Sequence, residues 1–131
     1  MEKIPILRMG KFLLVTIQVD LYDRLAEALE SDLVQMVKKT EARGVLIDIS
    51  AVSIIDSFMG RILGNIATMS KIMDAETVVV GMQPAVAITL VELGLPLKGV
   101  HSALSVELGM ELLNRKIALN ERALDDDGDS E

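Results

Sequence analysis

The stretch IIDSFMGR at positions 54–61 sets an acid, Asp56, beside a hydroxyl, Ser57, where an apolar run ends and a helical pattern begins. Three roles fit Ser57: helix cap, catalytic nucleophile, or a residue that another protein modifies. A serine nucleophile needs a base to take its proton and a partner to orient that base. The single histidine is His101, and no GxSxG elbow surrounds Ser57. A Ser–His–Asp hydrolase would therefore have to recruit His101, which otherwise reads as a loop or strand-end residue without a catalytic role. The chain has no cysteine, which excludes disulfides, thiolate metal sites and thiol nucleophiles.

Other chemistries find little support. There is no Walker pattern and no GxGxxG, and Gly60 and Gly64 lie four apart inside an expected helix rather than in a phosphate loop. Their bland reading is close packing on the sheet or a neighbour; the functional one is a side-chain-poor face that admits a partner. Asp48, Asp56 and Glu92 could cluster, but with no His or Cys nearby neither a transition-metal site nor a cofactor is expected. Asp48 and Asp56 flank a strand-to-helix loop, where carboxylates cap backbone amides. If Asp56 is the cap, Ser57 becomes the first helical residue. A phosphate there would meet unpaired N–H groups and the positive end of the helix dipole, and would add about −1.5 to −2 charges. From the residues alone, both a plain cap and a phosphorylation switch stand.

The elements that must position this pair are legible as an alternation. IPIL at 4–7 and a strand at 12–19 flank a turn at Met9-Gly10-Lys11, and Asp20 is a candidate cap for a helix over 21–42 that Gly44 ends. Leu21, Leu25, Leu29, Leu33 and Val37 form its stripe, with acids early and Lys38, Lys39 and Arg43 late. VLIDIS (45–50) and ETVVVG (76–81) are short apolar runs of the kind buried in parallel sheets. Between them lies a helix over 57–73 with Phe58, Ile62, Ile66, Met69 and Met73 inward. Pro84 opens a third helix that Gly94 stops. A strand over 98–101 and a last helix over 103–118, with Leu104, Leu108, Leu112 and Leu113 inward, complete the domain at about residue 118. The order β-β-α-β-α-β-α-β-α predicts an α/β fold with a mostly parallel sheet and one antiparallel N-terminal strand.

Length and charge narrow the class. The chain has 131 residues and three aromatics, Phe12, Tyr22 and Phe58, so the core must be aliphatic and base-stacking platforms are absent. The net charge of −7 also opposes nucleic-acid binding. Five of the negative charges sit in DDDGDSE at 125–131, leaving −2 for the rest, and residues 119–131 read as an acidic, flexible tail. The most apolar stretch, VVVGMQPAVAITLVELGLPL, is broken by Gln83, Pro84, Glu92, Gly94 and Pro96, so no membrane span is expected. With no convincing export segment, a soluble cytoplasmic protein is expected.

One family shares these features. IPIL (4–7), LLVTIQ (13–18), GVLIDIS (44–50), IIDSF (54–58), TMSKIM (68–73) and GMQPAVAITLVELGL (81–95) together resemble the STAS family and, within it, the stressosome scaffold branch. General antagonists of that family often read Asp-Ser-Ser-Gly, whereas Asp56-Ser57-Phe58-Met59-Gly60 follows the stressosome pattern. The resemblance implies a non-enzymatic protein of the anti-sigma factor antagonist type. It would co-assemble with RsbR-type co-antagonists into a large particle that holds an RsbT-type switch serine kinase. Ser57 would be the phospho-acceptor and Asp56 its orienter. Phe58, Met59 and Gly60 would form part of the kinase-docking surface, and a phosphatase would reset Ser57. Thr89 is a second candidate for modification, its bland reading being a hydroxyl bonded to its own helix. A free anti-sigma factor antagonist binding an anti-sigma kinase directly is the alternative.

Overall fold

Two apolar runs, Ile6–Met9 (β1) and Phe12–Thr16 (β2), fold back on each other in an antiparallel pair that matches Ile6 with Val15 and Met9 with Phe12. Gly10, at φ 62°, makes the turn between them. From β2 onward each strand is followed by a helix: α1 (Asp23–Thr40), β3 (Gly44–Asp48), α2 (Ser57–Ile72), β4 (Glu76–Val80), α3 (Pro84–Glu92), β5 (Val100–Ala103) and α4 (Val106–Asp129). This computed structural model describes residues 3–18, 21–95 and 97–129. The expected cap Asp20, the strand residue Val19, Pro96 and the last two residues of the acidic segment lie outside them.

The five strands line up in sequence order, β1-β2-β3-β4-β5, with every pair after the first parallel. That is the expected fold class. Right-handed connections between strands that always step the same way put all their helices on one face. The packing agrees. Leu13, Val15, Val45, Ile47 and Val79 meet Leu29, Leu33 and Val37 of α1, Ile62, Leu63 and Ile66 of α2, and Val86 and Leu90 of α3 in one buried cluster. Residues of opposite parity, Phe12, Leu46, Val78 and Val80, form a smaller cluster with Leu113 and Ile117 of α4 on the other face. Because the strand order never reverses, the sheet has no switch point, the place where such folds open a ligand crevice.

Three expectations about local structure shift. Gly44 does not end α1; Glu41 does, in the left-handed region at φ 56°. Gly44 instead opens β3, where an added Cβ would lie 2.7 Å from Leu113 Cδ1. Leu104 and Leu108 are not inward but 85% and 45% exposed, because α4 starts only at Val106, with the Ser105 hydroxyl accepting from Leu108 N at 3.2 Å. That start sets a helical phase in which Gly109, Leu113 and Ile117 face the sheet. Finally, α4 runs well past the expected end at residue 118, through Asp129.

Candidate functional site

The site forms where β3 hands over to α2. Asp48 ends β3 and its carboxylate accepts from Ser50 N at 2.9 Å, turning the chain out of the sheet. The Gln83 side chain, just before α3, donates to Ser50 O at 2.9 Å. Gly81, at φ 71°, follows β4 closely enough that a Cβ would lie 2.7 Å from Ser50 Cβ. The segment leading to Asp56 is thus held from its own strand and from the neighbouring βα connection. A glycine after ETVVV could have signalled that close approach; the Gln83 contact, 33 residues from Ser50, left no local signal.

Asp56 is the N-cap of α2. Its backbone is extended (φ −114°, ψ 175°), and its carboxylate accepts from Met59 N at 2.8 Å. Its carbonyl accepts the first helical bond, from Gly60 N at 3.1 Å. Ser57 is the first helical residue and is half-buried. The amides of Ser57 and Phe58 precede the first residue that can reach an i−4 carbonyl within the helix, so the backbone around Ser57 is left as a donor surface. No acid occupies the first turn of α2.

The other expected site residues divide. Phe58 is half-buried and borders the core, whereas Met59 is 6% exposed and belongs to it. Gly60 is buried beneath α3 and the segment after it: a Cβ there would sit 2.5 Å from Leu95 Cδ1 and 3.1 Å from Leu90 Cδ2. Met59 and Gly60 therefore lie under the surface that Asp56, Ser57 and Phe58 reach, and close packing accounts for Gly60. Gly64 is looser, with only Leu97 Cδ2 at 4.0 Å. A shallow cavity of about 290 Å³ adjoins Asp56, lined by Gln18, Leu21, Val52, Ile54 and Met59 among others. Ile54 is 82% exposed there.

His101 is not near Ser57. It lies in β5, and its Nε2 is 3.2 Å from Glu76 Oε2; Glu76 also accepts a short hydrogen bond from Lys71 Nζ. Lys71 sits fourteen residues along α2 from Ser57, roughly 21 Å at helical rise. The histidine that a serine hydrolase would have to recruit is thus tied into a cluster at the opposite end of the helix from the serine. Burial pushes the Glu76 carboxyl up, but hydrogen bonds and charge from Lys71 and His101 outweigh it and hold the carboxyl below its ordinary range. Thr89 lies in α3 with its hydroxyl bonded to Ala85 O at 2.9 Å. Among the described residues no three His, Asp or Glu side chains group as a metal site, and no helix is long and apolar enough to cross a membrane.

Residues 3–107 match the family model described as the STAS domain. The chain belongs to the STAS family. The sequence matches no curated protein, but solved structures of STAS proteins resemble it. RsbS of Moorella thermoacetica, solved as a serine-to-glutamate variant, is 32% identical, covering 89% of this chain and 99% of its own, with a TM-score of 0.79. A structure from the stressosome, described as a signal integration and transduction hub, is 34% identical, covering 86% and 98%, with a TM-score of 0.75. A protein of Thermotoga maritima, 16% identical with a TM-score of 0.72 over 85% of this chain and 94% of its own, shares the fold. Similarity to RsbS and to the stressosome supports an antagonist or scaffold role.

Proposed function

We propose that this STAS protein is a stressosome scaffold that sequesters a switch serine kinase and is released from it by phosphorylation at Ser57. The observation that carries the reading is the position of Ser57: first residue of α2, at the protein surface, with Asp56 fixing the cap and no acid in the first turn. In the transfer, Ser57 Oγ attacks the γ-phosphorus of ATP on the kinase. The Oγ–P bond forms, the bond to the β–γ bridging oxygen breaks, ADP leaves, and a kinase base takes the hydroxyl proton. The free helix amides and the dipole then stabilise the new charge without a change of fold. A phosphatase reverses the state by directing water at the phosphorus, freeing inorganic phosphate and the Ser57 hydroxyl.

Asp56 orients Ser57 by holding the first turn, and Phe58, with the exposed Ile54 beside the cap, supplies apolar surface to the kinase; Met59 and Gly60 shape that surface from below. RsbR-type co-antagonists complete the particle in the cytoplasm, and no catalysis by this chain is involved: the only histidine is engaged with Glu76 away from Ser57. Thr89 is a second acceptor only if its bond to Ala85 O opens.

Light scattering after size exclusion, with and without an RsbR-type partner and an RsbT-type kinase, tests the reading. A large particle that retains the kinase with Ser57→Ala and loses it with Ser57→Asp is expected. A persistently small species that binds an anti-sigma kinase directly would replace the scaffold with a free antagonist.

A further inference from the structure

The residue one turn beyond Ser57 is Arg61. It is exposed, and among the described residues it makes no ion pair or hydrogen bond. Lys3, Arg43 and Lys71 are each paired with an acid, and α2, in a chain with 20 acidic residues, contains none. On a helix, positions i and i+4 lie about 5–6 Å apart at Cβ. Helical side chains lean toward the N-terminus, so a residue at 61 covers the turn that begins at 57. Arg61 also lines a groove of about 270 Å³ with Gly64 and Lys98.

We propose that Arg61 is the positioning residue for a phosphate on Ser57: its guanidinium closes on the phosphate oxygens, with the amides of the first turn on the other side. This inference rests on the reading of Ser57 as phospho-acceptor and adds what the phosphorylated state does next. Part of the new charge is neutralised within the chain, and the guanidinium leaves solvent for a defined position at the rim of the docking face. A planar fork of donors suits two phosphate oxygens at once, which a lysine cannot match. The surface seen by a kinase therefore changes in two places, 57 and 61.

The other charges around the phosphate come from three directions. Asp56 precedes it, with its carboxylate engaged by Met59 N. From the side of α3, Glu92 ends the helix and Lys98 lies in the groove beside Gly64, about two turns along. From α1, Glu27 and Glu30 line a hollow with Met69, near the far end of α2. Arg61 is thus the one cation within a turn of Ser57 on α2.

The test uses full-length protein with phosphoserine placed at 57 during translation, so no kinase is needed, and follows the second phosphate ionisation by phosphorus NMR. A free phosphoserine loses that proton near pH ~6. With Arg61 in place the midpoint should fall below that value. Arg61→Gln should raise it by about 0.5 unit, roughly threefold tighter proton binding, with Arg61→Lys in between and Lys98→Gln unchanged. Unphosphorylated Arg61→Gln should melt as the parent does. A midpoint unmoved by Arg61→Gln, an equal shift from Lys98→Gln, or a phosphorylated chain that no longer folds would each overturn the proposal. Failure of a kinase to modify Ser57 would instead remove the switch reading and leave this contact standing.

Discussion

The two ends of α2 hold the most informative polar groups of the molecule, and they are built in opposite ways. At the C-terminal end, Glu76 is almost buried, and both carboxylate oxygens are engaged, one by Lys71 and one by His101. At the N-terminal end, Asp56 makes one bond inward, while Ser57 and Arg61 keep groups that face outward. A saturated cluster resists change, because any substitution leaves a buried partner unmatched. An end with spare donors and little burial accepts a new charge at low cost. Position along one helix therefore separates a structural use of charge from a regulatory one.

The contrast breaks most easily at Glu76. Glu76→Ala should destabilise the domain by about 1–3 kcal/mol in urea unfolding, since it strips the partner from His101 and Lys71. It should leave phosphorylation of the remaining folded protein at its parent rate. Acid should act through the same residue. A carboxyl held below its ordinary range contributes stability that is fully present above that range and is lost as pH falls through the folded value. The stability gap between parent and Glu76→Gln should therefore be constant near neutrality and close in acid, seen by melting as a function of pH. A gap that widened in acid would reverse the assignment.

At the other end the effects on stability shrink while those on function grow. Asp56→Ala should cost about 1 kcal/mol, and Asp56→Asn only a few tenths, because asparagine caps as well as aspartate. Kinase assays on the two should show whether the cap or the carboxylate charge orients Ser57. Ser57→Ala should fall within about 0.5 kcal/mol of the parent in the same unfolding curves, as a surface change that removes no internal bond. A large loss there would make Ser57 a structural residue and dissolve the contrast.

The sequence carried one end far better than the other. VLIDIS and ETVVV are apolar on both sides because each strand is covered by helices on both faces, so their composition reveals their place. Asp56 was readable as a cap because caps are local: the acceptor and Met59 N lie three residues apart. The Glu76–His101 pair spans 25 residues and exists only because β5 pairs with β4, so nothing near either residue announced it. For the same reason Gly60 read ambiguously until Leu90 and Leu95 arrived over it from α3 and beyond. Leu104 and Leu108 face solvent although leucines at 104, 108 and 112 fit a helical stripe, because the true phase depends on where Ser105 starts α4.

The most direct test is whether Ser57 receives a phosphate from its kinase. Incubation of the particle with an active RsbT-type kinase and ATP, followed by peptide mass spectrometry, should find one phosphate, on the peptide that holds Ser57, and none in Ser57→Ala. An unmodified Ser57 peptide, with the kinase shown to be active on another substrate, would contradict the account.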